Sequence, residues 1–401
     1  MTAEPPSDGP PGGRARLLPL YAAGFVTAFG AHSIAASLGG LTGTDHTSLL
    51  TLGILLAVYD GAEVVLKPVF GSLADRIGLR PVLLGGLVAF ALVSGAFVLA
   101  GNAGVIGLVR FGQGAAAAAF SPAAGALVAR LAPRSTQGRA FGGYGAWKGL
   151  GYTLGPLLGG VLITIGGFAL LFTTLAGLAI AVSIWAAVAV PSPAALPRTR
   201  QTVLDLGRRL SQAGFLHPTL TLAATTAALS VGVGFLPVRG AAAGLGPLAT
   251  GAAVSVLAAT SALAQPWAGR ARDGGRLPER RGMTGGLLLA AVGFVIAATL
   301  PGLVPLVVGA AAVGLGVGLV TPLAFAALAA SSPPERLGQT MGAAEVGREL
   351  GDAGGPLLVG ALATVASLPL GLGGLAVLLA VAGAAVSGRP RPGPVDSHPP
   401  R

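Results

Sequence analysis

The sequence predicts an all-α integral membrane protein of twelve transmembrane helices, arranged as two pseudo-symmetric six-helix bundles. Three observations carry this expectation: a composition that cannot solvate a surface, a row of apolar segments of bilayer length, and an internal repeat. Of the 401 residues, 53% are hydrophobic and 10% charged, with a mean hydropathy of +0.78. An ordinary soluble domain carries roughly 25% charged residues. The 66 glycines suit helices packed closely in lipid, where small residues let backbones approach.

The elements follow in order. Residues 1–16, rich in Pro and Gly, read as a disordered N-terminus without the cleavage pattern of a signal peptide. Segments of about 20 residues or more, long enough to span, run as 17–40, 48–72, 81–101, 104–131, 138–165 and 168–190. These make an N-terminal bundle over 17–190. A second set runs as 217–239, 246–268, 283–300, 302–330, 337–366 and 368–387, making a C-terminal bundle over 217–387. Between them, 191–216 reads as a cytoplasmic linker holding Pro191, Pro193, Pro197 and basic residues, with room for a surface helix at 202–213. The tail 388–401 is Pro-rich and reads as disordered.

Orientation follows from the arginines. Loops after even-numbered segments and both termini hold nearly all of them, including Arg76, Arg80, Arg130, Arg134, Arg139, Arg270, Arg272, Arg276 and Arg336. The opposite loops hold only Arg239. Positive loops stay cytoplasmic, so both termini are expected there, in the cell's inner (plasma) membrane. The repeat agrees. Pro122, Pro133, Gly138, Gly142, Gly151, Gly155 and Pro156 each find the same residue 200 positions later. Two halves of like topology imply a parallel repeat about an axis along the membrane normal, with a cleft between them.

Several chemistries are excluded or disfavoured. With no cysteine, disulfides, thiolate metal sites and cysteine nucleophiles are ruled out. His32, His46, His217 and His398 are scattered, and no HExxH or GxSxG pattern occurs, so neither an enzyme nor a metal site is expected. Gly314, Gly316 and Gly318 echo part of a dinucleotide fingerprint, but inside an apolar helix with no strand before it. No GxxxxGK[ST] occurs, so neither ATP nor another cofactor is expected. The net charge of +11 sits in short arginine clusters without interleaved aromatics, which argues against nucleic acid.

The loop after the second segment contains Gly71, Leu73, Asp75, Arg76, Gly78 and Arg80. It resembles motif A of the major facilitator superfamily, GxLaDrxGrk, with Leu79 in place of the first basic residue. A degraded copy, Gly269 to Asp273, follows one half later; Gln265 and Pro266 precede it where Lys67 and Pro68 precede the first. Arg110, Gln113 and Gly114, followed by an alanine run, resemble motif B, which the family associates with proton coupling. Gly151, Gly155, Pro156, Gly159 and Gly160 are similar to motif C, gxxxGPxxGG, the mark of the twelve-span drug:proton antiporters. The resemblance implies that the motif A and motif C residues gate the conformational change. It also implies that segments 1, 4, 7 and 10 line the cavity. One departure is plain: residues 17–40 lack the acid that many such antiporters carry.

Asp60, Glu63, Arg110, Lys148, Glu345, Arg348, Glu349 and Asp352 fall within spans. At about 2.5–3.5 kcal/mol each, they oppose insertion by roughly 20 kcal/mol before pairing, hydration or neutralisation. Asp60, Glu63 and Lys67 share one stripe of the second helix; Glu345, Arg348, Glu349 and Asp352 share one of the eleventh. For Lys67, Arg348 and Glu345 the spacing favours an ion-pair network between the halves. Proton coupling is expected of Asp60 and Glu63 first, then Glu349 and Asp352, with Arg110. His32, Lys148 and Gln113 are expected to meet substrate. Lys148, one of two lysines, either neutralises an anionic substrate, trades partners with a carboxylate, or pairs structurally with Asp60 or Glu63.

Together these readings lead to a monomeric secondary transporter, embedded in the lipid bilayer, exporting a small amphipathic solute in exchange for protons. Uptake by symport or facilitated diffusion is the alternative within transport. A non-transporting sensor or scaffold of the same fold is the alternative outside it.

Overall fold

The computed structural model describes residues 13–41, 49–193, 208 and 211–387. Among the described residues the chain forms twelve long helices and no strand. The first half holds α1 (Gly13–Leu41), α2 (Leu49–Ile77), α3 (Leu79–Ala96), α4 (Ala103–Leu131), α5 (137–165) and α6 (168–189). The second holds α7 (Ala213–Ala242), α8 (Pro247–Asp273), α9 (Glu279–Thr299), α10 (Leu303–Ala330), α11 (Leu337–Val365) and α12 (Leu368–Ser387). Helix α5 passes into α6 through Gly166 and Gly167, whose backbones are non-helical; φ at Gly167 is 69°, a conformation a side chain would strain. The α2–α3 turn is a single residue, Gly78, with φ 109°. Only glycine adopts that angle without strain, which accounts for the glycine at this point of the motif.

Helix α1 begins at Gly13, inside the stretch expected to be disordered, and α7 begins at Ala213, inside the expected linker. Helix α1 opens on basic residues, with Arg16 exposed, and α7 is preceded by the exposed polar residues Ser211 and Gln212. A helix end can run past the hydrocarbon edge into the interface, where such side chains stay wet. Most of the expected surface helix at 202–213, the bulk of the N-terminal segment and the tail lie outside the described residues, as does His46.

The repeat is visible in three dimensions. Short 3-10 turns at Arg134–Thr136 and Pro334–Arg336 lead into α5 and α11 at matching positions. Gly151 and Gly155 of α5 pack on the backbone of α1 at Phe25 and Phe29; Gly351 and Gly355 of α11 pack on α7 at Ala223 and Ala227. Ser33 Oγ donates to Gly155 O at 2.7 Å, fastening α1 to α5 beside Pro156, whose ring nitrogen cannot donate. Gly159 abuts Ser33, whereas a side chain at Gly160 would meet nothing.

Helices α3, α6, α9 and α12 stand outside. They present large apolar side chains outward, among them Leu92, Val188, Val292 and Val381. The interior, by contrast, contains Glu63, Lys67, Arg110 and Glu345, all buried. Apolar outside and ionic inside is the arrangement lipid selects. Among the described residues, eight helical stretches are long and apolar enough to cross a membrane, and one of them, Arg134–Ala189, contains both α5 and α6. Helices α2, α8 and α11 are not among those stretches: charges interrupt α2 and α11, whereas α8 carries none before Arg270 and is diluted by Thr, Ser, Gln and Pro, and those same helices build the seam between the halves.

Candidate functional site

At the arginine-rich end, the halves meet backbone to backbone. Gly71 of α2 lies against Gly338 and Gly342 of α11, and Gly142 of α5 lies against Gln265 and Pro266 of α8. Asp75 closes the first seam. Its Oδ1 and Oδ2 accept from Gly338 N and Gln339 N, each at 2.8 Å, in the opening turn of α11. Those N–H groups have no partner within their own helix, and a carboxylate there gains charge-assisted bonds and the favourable end of the helix dipole. Asp273 does the same at the second seam, accepting from Gly138 N at 2.9 Å and Arg139 N at 2.7 Å in the opening turn of α5. The degraded copy of the motif thus keeps the acid that performs the contact. Arg80 donates to Ala187 O of α6, pinning α3 within its own half, and Arg76 is exposed at the end of α2.

Above these seams lies a cavity of about 740 Å³. Its walls come from α1, α2, α4, α5, α7, α8, α10 and α11. The expectation of α1, α4, α7 and α10 alone is therefore too narrow: the helices that form the seams continue upward as cavity wall. Five carboxylates line it, Asp60, Glu63, Glu345, Glu349 and Asp352, against three cations, Lys67, Lys148 and Arg348.

These side chains form a network across the halves. Lys67, only 1% exposed, places Nζ 3.1 Å from Glu63 Oε2 on its own helix. It reaches α11 at 2.6 Å from Glu349 Oε1 and 3.4 Å from Glu345 Oε2. Glu345 accepts from Arg348 Nη1 at 3.0 Å and lies 4.0 Å from Lys148 Nζ of α5. One carboxylate of α11 thus faces cations from α2, α5 and its own helix. The structural pairing of Lys148 with Asp60 or Glu63 is not what forms; its carboxylate is Glu345, which spacing along one helix could not reveal.

Asp60 and Asp352 differ from the rest. Both are exposed to the cavity, and neither makes a salt bridge among the described residues. Asp60, Glu63 and Glu349 bring carboxylate oxygens within 4.8 Å of one another, a spacing a metal ion could use. The Lys67 ammonium, however, already binds Glu63 and Glu349, so the cluster carries its own tethered cation.

His32 is exposed to the cavity, its ring 4.4 Å from that of Tyr152. Its Nδ1 lies 3.0 Å from Ala28 O. A carbonyl only accepts, so Nδ1 carries a proton, and Nε2 is the nitrogen left for a further partner. Arg110 and Gln113 are placed differently. Arg110 lies over the Tyr59 ring at 4.4 Å and donates to Gln113 Oε1 at 2.7 Å. Neither lines the cavity, and Gln113 is 0% exposed. Gln113 braces Arg110 behind the wall, where substrate in this cavity does not reach it. Tyr59 links this pair to the network, its hydroxyl 3.4 Å from Glu63 Oε1.

Residues that motif reading did not single out also line the site: Tyr59, Tyr152, Tyr144, Ser121 and the stacked pair Phe141 and Phe325, one from each half at 5.6 Å. Only the repeat carried a signal for any of them, since Ser121 and Thr321 stand at matching positions before a proline.

The cavity is shared by two like halves and latched at one end by a duplicated acid, and residues 20–238 and 219–401 both match the Major Facilitator Superfamily. The chain belongs to that superfamily. It therefore stands among transporters, not enzymes. The human organic anion transporter MFSD10 (TETRAN) is similar in fold, with a TM-score of 0.79 at 18% identity, covering 94% of this chain and 100% of that one. The Escherichia coli fucose:proton symporter FucP is likewise similar, with a TM-score of 0.80 at 13% identity over 95% of this chain and 100% of its own. In sequence, the chain is similar to the quinolone resistance protein NorA of Staphylococcus aureus, 30% identical over 126 residues. It is also similar to the class H tetracycline resistance protein of Pasteurella multocida, 32% identical over 123 residues. The chain covers 31% and 30% of the length of these two relatives.

Proposed function

We propose that this superfamily member is a secondary active transporter that exports a small amphipathic compound in exchange for protons by alternating access. The observation that carries the reading is one cavity shared by both halves, sealed at the arginine-rich end and lined by more carboxylates than cations. The positive-inside rule puts the sealed end and both termini at the cytoplasmic face of the plasma membrane, so the cavity faces outward. The likeness to two resistance proteins adds support for export.

In this mechanism the protein works as a monomer, with bundles over 17–190 and 217–387 moving about the linker 191–216. Asp60 and Asp352, without salt bridges, take up protons from outside, followed by Glu63 and Glu349. Neutralising Glu349 weakens the hold of Lys67 on α11, while Glu63 holds Lys67 within α2. The α2–α11 seam then opens, Asp75 leaves the first turn of α11, and Asp273 leaves that of α5. Arg110, held by Gln113 and Tyr59, keeps a fixed positive charge behind Asp60 and Glu63 that favours release of the proton inward. Gly151, Gly155, Pro156 and Gly159 let α5 and α1 move as one piece, sealing the outer side.

Everted membrane vesicles test the direction. With an imposed inward-acid gradient and a panel of labelled amphipathic compounds, export predicts accumulation that collapses with the gradient and is lost in Asp75→Asn. Uptake by proton symport remains a second reading because α1 offers His32 but no carboxylate. Accumulation in right-side-out vesicles only, driven by outside acid, would establish that reading instead.

A further inference from the structure

The corner between α8 and α9 differs from its repeat partner, the corner between α2 and α3. Aligning Gln265 with Lys67 sets Trp267 against Val69, Arg270 against Ser72 and Asp273 against Asp75. At the α2–α3 corner Arg80 is spent on Ala187 O of α6, and Arg76 is exposed. At the α8–α9 corner Arg270, Arg276, Arg280 and Arg281 are all exposed. The acids that could answer them are already held. Asp273 accepts from the opening turn of α5 and from Arg272 Nη1 at 3.1 Å, and Glu279 Oε1 accepts from Arg272 Nε at 2.8 Å. Among the described residues, Arg270, Arg276 and Arg281 form no ion pair.

Apolar outer surface leads up to these arginines. On α8, Leu263, Trp267 and Arg270 fall on one exposed stripe; on α9, Val292, Leu288, Gly285 and Arg281 do the same. A side chain at Gly285 would meet nothing, so the surface is open one turn from Arg281. Helix α10 stands between the two. Its Gly314 packs on α8 at Leu257 and its Gly316 on α9 at Gly286. At 100° per residue, Leu315 must point out through the gap those helices leave, opposite Val317 on the cavity side, and it is exposed. The gap is an apolar groove on the outside of the bundle, headed by a tryptophan and then by arginines. Tryptophan is enriched at the level of the lipid headgroups, and a guanidinium matches phosphate oxygens bidentately.

We infer that the α8–α9 corner is a binding site for an anionic phospholipid of the cytoplasmic leaflet. Arg270, Arg276 and Arg281 take the phosphate, and the acyl chains lie along Leu263, Leu288, Val292 and Leu315. A headgroup of net negative charge is selected over a zwitterionic one for a specific reason. Asp273 and Glu279 are committed to α5 and to Arg272, so no acid at the corner is left to receive a choline or ethanolamine nitrogen. The α2–α3 corner, with Val69 for Trp267 and Ser72 for Arg270, lacks the site. The inference uses the orientation of the arginine-rich end and is independent of the direction and coupling of transport.

Fluorescence quenching in the full chain reads this corner directly. With Trp147→Phe and Trp185→Phe, Trp267 is the remaining tryptophan, and in nanodiscs it reports on lipids brominated in the upper acyl chain. Brominated phosphatidylglycerol in a phosphatidylcholine bilayer is expected to quench at a mole fraction about fivefold or more below that needed of brominated phosphatidylcholine, the ratio that one arginine at an anionic surface provides. Arg270→Gln, Arg276→Gln and Arg281→Gln together abolish the difference. The three matching lysine substitutions retain it, because the charge stays, and Arg76→Gln at the other corner leaves it as it was. Glycerol 3-phosphate in solution does not relieve the quenching. Equal quenching by the two lipids, a difference that survives the glutamine substitutions, one lost as fully in Arg76→Gln, or relief by glycerol 3-phosphate would each overturn the inference. None of these results bears on the vesicle experiment, so the two readings fail separately.

Discussion

Lys67 is a residue that a bilayer should reject, and the structure shows how it is kept. Its ammonium lies within 3.4 Å of three carboxylates, two of them on α11. Breaking a buried ion pair by removing one partner leaves an uncompensated charge and costs about 3–5 kcal/mol. Lys67→Met is therefore expected to lower the midpoint of thermal unfolding in detergent markedly. Asp60→Asn, at an exposed carboxylate without a salt bridge, is expected to leave it nearly unchanged. Equal effects of the two substitutions would contradict the network. The stripe containing Asp60, Glu63 and Lys67 could be read from their spacing, because positions three and four apart share a helix face. Their partners could not. Glu345 and Glu349 lie 278 and 282 positions away, and the pairing of Lys148 with Glu345 depends on how α5 meets α11, which no periodicity encodes. Gln113 shows the same limit, since one turn of α4 can face either the cavity or the packing behind it, and Gln113 faces Arg110.

At the scale of helices, glycine positions separate close packing from mere composition. A side chain at Gly151 would run into the backbone of α1 at Phe25, and one at Gly351 into that of α7 at Ala223; at Gly160 there is nothing to strike. Gly151→Val and Gly351→Val are expected to abolish folded protein in size-exclusion profiles, and Gly160→Ala to leave it intact. The seam acids are expected to behave as a pair. Each holds two N–H groups of a helix in the opposite half, and losing a cap of this kind costs about 1 kcal/mol. Asp75→Asn and Asp273→Asn should each raise the open fraction of the arginine-rich end by about fivefold. With no native cysteine, a cysteine at Ala117, in the cavity wall, reports this through its labelling rate with an impermeant maleimide applied to that end. A faster rate in Asp75→Asn alone would demote the second copy to a remnant. Helix α11 and the break between α5 and α6 were readable from glycine, proline and hydropathy patterns. The contribution of α2, α5, α8 and α11 to the cavity wall was not, because each of those helices serves as seam at one end and wall at the other.

For the molecule as a whole, the account rests on two rigid halves pivoting around the ion network. The sealed end is held by Asp75, Asp273 and glycine contacts, while further along the same helices Leu157 of α5 and Val233 of α7 are exposed. The repeat made the pairing of halves legible before any coordinates, because Gly and Pro positions fix where helices touch and bend. Which end is shut could not be read, since both states use the same sequence. Electron–electron distance measurements between spin labels test the pivot directly. One pair, at Arg76 and Pro334, spans the sealed end, and the other, at Leu157 and Val233, spans the opposite end. Shifting the reconstituted protein from neutral to acid pH should lengthen the first distance and shorten the second in the same population of molecules. Two distances that rise together, or that both stay fixed while a substrate is being transported, would contradict a rocking mechanism.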